Sequence, residues 1–587
     1  MGWTTSLAGV LAAGTLLAQG GFFPLREVRA GMKGTGRTVF AGDQVEQFGV
    51  EILGVLENVG PKQSLVLARL SGGPLEKTGV LQGMSGSPVY VEGRLLGAVA
   101  MAFPFSKEPL AAIRPIHDLL NVAQPVSGSE RRARVTVLDR DLAGIFPPPQ
   151  ALPAGGEKLA DIATPVSFSG FTRNAVERFA PQLRALGLEP HQGVSGGGRP
   201  ADGYGDPARL KPGSMITVQL LSGDMSLGAD GTVTHIDGKR VYAFGHRFLS
   251  IGSTELPFAR AEVLTLLPTL SSSFKISAPR EWMGTITEDR STGVAGELGR
   301  RTELAPVVIT VARPAGGKRS SYTLGMVRDR LLSPLLLQMA VYSAIDATEQ
   351  ALGSSTIAVR GRFEFQSNAA PVLLNNMYAG DMNLPMVVSA STAVPLAYVL
   401  QSGFDALRLK KVALEIDVLD RKRQWQIEQA WISRREVRPG ESVELTVVLS
   451  GENGAELSRR VSYTAPVGAP AGPLHITVAD AATANLAEYQ QLIGTAHKSA
   501  AQLVSFVNSL RPNTRAYVRV ARAEPGYDVL GQTLPHPPPS VALILARSQS
   551  GLGGGAPAYT SKVAELVIDA GDMVVTGSKT IQVEVKE

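Results

Sequence analysis

The sequence predicts a mainly β protein of several domains, and three observations carry that expectation. Short apolar runs, alternating or continuous, recur along most of the chain, and Gly, Pro or charged residues bound each one. Glycine (63 residues) and proline (38 residues) are abundant, which suits many strands and turns better than helical bundles. At 587 residues the chain exceeds what one hydrophobic core holds.

The elements follow in order. Residues 1–20 contain the apolar run Leu7–Ala18, too short to span a bilayer comfortably and followed by small residues. This predicts an export signal, although no Lys or Arg precedes Arg26, and with it a place in the periplasm or cell envelope. Residues 25–124 form a first β domain with strand-like runs at Thr38–Phe40, Val50–Leu56, Ser64–Leu70, Pro88–Val91 and Leu95–Met101. Residues 125–212 are an α/β insertion or connection. There a strand (Pro165–Phe168) and a helix (Arg173–Leu186) stand between loop-like Pro147–Pro149 and Ser195–Gly198. Residues 213–313 form a second β domain, with a hairpin turn at Ile236–Lys239. Residues 314–410 are mixed α/β, with a helix that Ser333 caps and Pro334 opens. Residues 411–470 read as a β-sandwich-like domain. Residues 471–587 read as an α+β domain with a helix over Ala487–Leu510.

Charge and composition exclude several functions. The net charge of +5 is spread along the chain without a dense basic block, so nucleic acid is not an expected partner. The absence of cysteine removes disulfides, thiolate zinc sites and a cysteine nucleophile. Neither a metal nor a cofactor is expected, and no later segment is apolar and long enough to cross a membrane as a helix.

The stretch Leu81–Ala100, LQGMSGSPVYVEGRLLGAVA, carries the chemistry. A serine that attacks a carbonyl needs an exposed Oγ on a tight turn, converging backbone N–H groups and a base. Glycines at 83 and 86 permit the backbone angles that aim successive amides into one concavity, with Gly83 and Ser85 as the natural oxyanion donors. The hairpin that follows, turning at Glu92–Gly93, is a rigid mount. A nucleophile elbow of α/β-hydrolase type would need glycine where Ser87 stands, so a trypsin-like barrel fits better. On pattern alone the stretch also fits a plain turn before a hairpin. Of seven histidines, His117, His191, His475, His497 and His536 lack a supporting pattern, and His235 reads as an exposed strand residue. His246, in VYAFGHRF, follows an apolar strand and a glycine, so its ring emerges at a strand end.

These residues resemble a known family. VEQFGVEILGV (Val45–Val55), LEKTGVLQGMSGSPVYVEGRLLGAVA (Leu75–Ala100), VYAFGHRF (Val241–Phe248) and GTITEDRSTGVAGELG (Gly284–Gly299) are similar to the SpoIVB-type serine peptidases of the trypsin-like clan. The resemblance implies a double β-barrel with Ser85 as nucleophile and His246 as general base. In the family the histidine block precedes the serine block; here the order is reversed, as in a circular permutation. Barrels that fold around separate cores tolerate such a change. The family's acidic residue falls at Ser71 here, and Asp289 is the preferred substitute, ahead of Glu76 and Asp224.

The expected protein is therefore an exported serine endopeptidase acting on a protein or peptide substrate. Its C-terminal β-rich region is expected to dock an envelope partner. The alternative is a catalytically inactive envelope scaffold or binding protein that keeps the protease fold.

Overall fold

The computed structural model describes residues 21–103, 106–123, 151–152, 159–192, 201–270, 272–313, 317–348, 353–492, 499–529, 532–535, 537–547 and 556–587. The apolar run Leu7–Ala18 lies outside them. No helix among the described residues is long and apolar enough to cross a membrane.

The first domain closes on itself. Strands β1 (Lys33–Val39), β2 (Val45–Gly60), β3 (Gln63–Ser71), β4 (Pro88–Val91), β5 (Arg94–Ala102) and β6 (Leu110–Pro115) run in the order β4-β1-β2-β3-β6-β5. Because β4 also pairs with β5, no edge remains, and the sheet is a six-stranded barrel. Period-two alternation turns Phe48, Val50 and Ile52 of β2 inward to meet Val66, Ala68 and Leu70 of β3.

After β7 (Leu159–Asp161), strand β8 (Thr164–Ser169), helix α1 (Arg173–Ala185) and strand β9 (Leu188–Gln192) form a β-α-β unit. Thr172 caps the helix by accepting from the Ala175 amide. The unit docks through β8 onto the second barrel.

That barrel comprises β10 (Met215–Gly223), β11 (Ser226–Asp237), β12 (Arg240–Ala243), β13 (Gly252–Leu267), β14 (Phe274–Arg290) and β15 (Gly293–Leu298). Their order is β11-β12-β15-β14-β13-β10, and pairing of β11 with β10 closes the ring. Asp237 pairs with Arg240 across a two-residue turn, where Gly238 takes φ +58°. Strands β10 and β11 are buried along almost their whole length, because one face lines the barrel and the other meets a neighbouring layer.

Two boundaries differ from the sequence expectation. Strands β16 (Ala305–Arg313) and β17 (Lys318–Met326) leave the second barrel from β10. They continue into one sheet with β18 (Ser355–Phe365), β19 (Val372–Gly380) and β20 (Leu409–Leu419). Helices α2 (Leu332–Asp346) and α3 (Leu384–Leu400) share the apolar core of this part. The stretch 305–313 thus sits beside 409–419 in parallel register. The described residues from Gln424 onward then form a single sandwich: a sheet containing Gln424–Ile432, Ser442–Gly451 and Glu456–Thr464 faces a sheet built on Gly472–Ala479, Arg515–Val529 and Ser578–Val585. Both sheets contribute to one core, with Val443, Leu445 and Val447 against Leu474, Ile476 and Val583. A sheet buried on alternate residues needs a cover, and the two segments supply it to each other.

The start of α2 also differs. Ser333 lies inside the helix and donates to the carbonyls of Val327 and Asp329, while Asp329 accepts from the Leu331 and Leu332 amides. The carboxylate upstream does the capping that the sequence assigned to the serine.

Candidate active site

The serine turn lies in the seam between the barrels. Gly83 and Gly86 adopt φ +87° and +93°, and a Cβ on Gly86 would stand 2.1 Å from Thr232 O and 2.5 Å from Phe244 N. Only glycine allows the second barrel to come that close. Strand β11 holds the turn by three bonds. Thr232 N donates to Ser85 O (2.9 Å), Thr232 Oγ1 to Gly83 O (2.8 Å), and Thr234 Oγ1 to Gly86 O (2.7 Å).

Backbone donors around the serine divide into two groups. The amides of Met84, Gly86 and Ser87 donate to Leu81 O, Val99 O and Met84 O. Among the described residues, those of Gly83 and Ser85 donate to no backbone carbonyl. These are the two amides that the sequence assigns to an oxyanion hole.

His246 reaches the same seam from β12. Phe244 and Gly245 take φ +70° and +67°, a sharp reversal that presses Gly245 against β5. There Arg114 Nε donates to Gly245 O at 2.8 Å. The His246 Nδ1–H donates to the Arg247 carbonyl at 2.6 Å. A carbonyl can only accept, so this bond fixes the tautomer with Nε2 as the free acceptor, as a general base requires. Burial lowers the His246 pKa below the ordinary imidazole value, and Asp161 opposes that shift. Ser85 Oγ and His246 Nε2 are both buried without a hydrogen-bond partner, and they do not bond to each other.

Asp289 supports the loop rather than the ring. Its carboxylate accepts from the amides of Phe248 (2.9 Å), Leu249 (2.7 Å) and Ile251 (3.3 Å), and so clamps the segment that leaves His246. Burial pushes its pKa up to about 6 against the pull of those amides. Neither of the other two carboxylates joins the site. Glu76 is exposed on the four-residue helix Leu75–Thr78, and Asp224 binds the Thr323 amide. Ser71 is exposed at the end of β3.

Sequence reasoning missed Thr232, Thr234, Arg114 and Asp161. The first two were open to detection, since GTVTHIDG places threonines at alternate positions of a strand. It also missed Lys275, which is fully buried beside the turn. Its Nζ donates to Thr38 Oγ1 of the first barrel at 2.7 Å, and its amide donates to Gln82 O. Burial pulls its pKa down to about 7.

Two closed barrels, with a glycine-flanked serine turn held in their seam and the segment before His246 packed against the first barrel, give the double-barrel architecture of the trypsin-like serine peptidases. More particularly, residues 25–108 match the family model SpoIVB peptidase S55. The match spans most of the first barrel and includes Ser85; His246 lies beyond it. No curated protein matches the chain.

Proposed function

We propose that the chain is an exported serine endopeptidase whose two blocks are permuted relative to its family. Ser85 Oγ attacks the peptide carbonyl, and its proton passes to His246 Nε2. The amides of Gly83 and Ser85 hold the developing oxyanion, and His246 then returns the proton to the leaving amine. The observation that carries this reading is the pair of buried, unpartnered atoms, Ser85 Oγ and His246 Nε2, on segments that the barrel seam brings together. The Arg247 carbonyl supports it by holding the required tautomer. The substrate is a polypeptide, and the C-terminal sandwich is the part available to dock an envelope partner.

A second reading is a silent protease fold that only binds. Ser85 is 0% exposed, which favours that reading. A large polar cleft elsewhere, lined by Arg300, Glu297 and Arg408 among others, includes neither Ser85 nor His246.

Fluorophosphonate labelling separates the two readings. Oγ–P forms, P–F breaks, fluoride leaves, and His246 takes the proton. Wild type labels, while Ser85→Ala and His246→Ala do not. Labelling that survives Ser85→Ala would reject the assigned nucleophile, and a wild type that never labels would favour the binding protein.

A further inference from the structure

The imidazole has no carboxylate on Nδ1, yet one stands close by. Gly245, just before His246, lies so near β5 that a Cβ there would be 3.0 Å from Ala98 Cβ and from Val99 O. The next residues of β5 pair with β7: Met101 sits opposite Asp161, and the Ile162 amide donates to Ala100 O at 3.1 Å. Strand pairing thus carries Asp161 to the part of β5 that the His246 segment covers. Its carboxylate is 3.9 Å from Arg247 Nε, and Arg247 supplies the carbonyl that receives the His246 Nδ1 proton.

Three charged groups act on the ring. Asp161 comes from β7, Arg114 from β6, and Arg247 follows His246 itself. Arg114 is offset in turn by Asp161 and by Asp118 of the short helix Ile116–Leu120. Burial and both guanidiniums disfavour an imidazolium here; among the three charges only the Asp161 carboxylate favours it. A base that gains a proton beside two guanidiniums in a dry seam needs such a carboxylate.

We propose that Asp161 is the acidic positioning residue of this site: through Arg247 it holds the His246 segment, and its charge stabilises the imidazolium formed when Ser85 gives up its proton. This rests on the peptidase reading. The acid then comes from the connection between the barrels, and neither the Ser71 position nor Asp289 supplies it.

The test uses the full chain and two readouts. Selective ¹³C-histidine labelling follows the His246 ring by NMR against pH in wild type, Asp161→Asn and Asp161→Glu. The His246 pKa falls in Asp161→Asn, because a favourable charge is lost, and Asp161→Glu restores most of it. In parallel, fluorophosphonate labelling of Asp161→Asn slows about tenfold, with its acid limb moved to lower pH. An identical His246 titration in wild type and Asp161→Asn overturns the proposal, whether or not the protein labels. A wild type that fails to label while its His246 titration still responds to Asp161→Asn overturns the peptidase reading and leaves the Asp161–His246 coupling standing.

Discussion

Gly86→Ala is the sharpest probe of the seam. The added methyl carbon would lie 2.1 Å from Thr232 O, 2.5 Å from Phe244 N and 3.0 Å from Phe244 Cα. All three are backbone atoms of the second barrel, so no side chain can turn away to make room. Ordinary carbon–oxygen contact needs roughly 1 Å more, and the serine turn must lift by about that distance. A lift of that size breaks the Ser85 O and Gly86 O bonds to Thr232 and Thr234. Each such bond contributes about 1 kcal/mol. Holding alanine at φ +93° costs about 1–2 kcal/mol more. The sum is about 3–4 kcal/mol, concentrated at the seam. Gly93→Ala is the matched control: Gly93 sits at φ +76° with no atom within 4 Å of the added Cβ, so only the backbone term of about 1–2 kcal/mol applies. Denaturant unfolding followed by hydrogen exchange on the 230–248 segment measures both variants, and fluorophosphonate labelling reads the turn directly. Gly86→Ala should lose protection across the seam and lower labelling by at least a hundredfold, while Gly93→Ala keeps both near wild type. Equal behaviour of the two variants would refute the docking argument.

Other expectations are smaller in scale. Thr234→Val removes the hydroxyl that holds Gly86 O and leaves a buried carbonyl unpaired. It should cost about 1–3 kcal/mol in urea unfolding, and Thr234→Ser should recover much of that. Asp289 keeps its proton in the fold up to about pH 6, whereas an unfolded carboxyl loses it near pH 4. Between those values the native state binds more protons, so this group's contribution to stability falls as pH rises. The wild-type Tm should therefore gain on that of Asp289→Asn, by the equivalent of up to about 3 kcal/mol, as pH drops through that window. A difference of opposite slope counts against the assignment. Lys275 is the reverse case. Its pKa is depressed to about 7, so the cost of burying its charge is fully present below pH 7 and is relieved as pH rises toward the unfolded lysine value. The Tm difference between Lys275→Met and wild type should shrink across that range.

How far the sequence reached depended on how local each feature is. The serine turn was legible because Gly83, Gly86 and the β4–β5 hairpin are neighbours in sequence, and their backbone angles follow from residue type. The same holds for the turn at Gly238–Lys239 and for helix α1, whose cap and periodicity are both local. Features set by distant pairing were not. Asp161 lies on a three-residue strand with no periodicity, and its position depends on β5, about 60 residues upstream. The sandwich was divided in two because its halves share a core only after folding. Asp289 belongs to the sequence block expected to supply the acid, but whether it meets the ring or the amides of Phe248 and Leu249 depends on a loop conformation that no spacing encodes.

The bond from Nδ1 to Arg247 changes what the missing carboxylate should cost. In a complete triad the acid does two jobs: it selects the tautomer that leaves Nε2 free, and it stabilises the imidazolium. Replacing it by an amide costs about 10⁴ in rate, largely through the wrong tautomer. Here the carbonyl does the first job, because it can only accept and so holds the proton on Nδ1. It cannot do the second as well as a full charge can. Burial lowers the His246 pKa and so favours the neutral ring, which suits the proposed base, but the cation that the proposed mechanism forms is poorly supported. The deficit is therefore electrostatic rather than geometric, and a carboxylate that acts from the far side of Arg247 can reduce it without touching the ring.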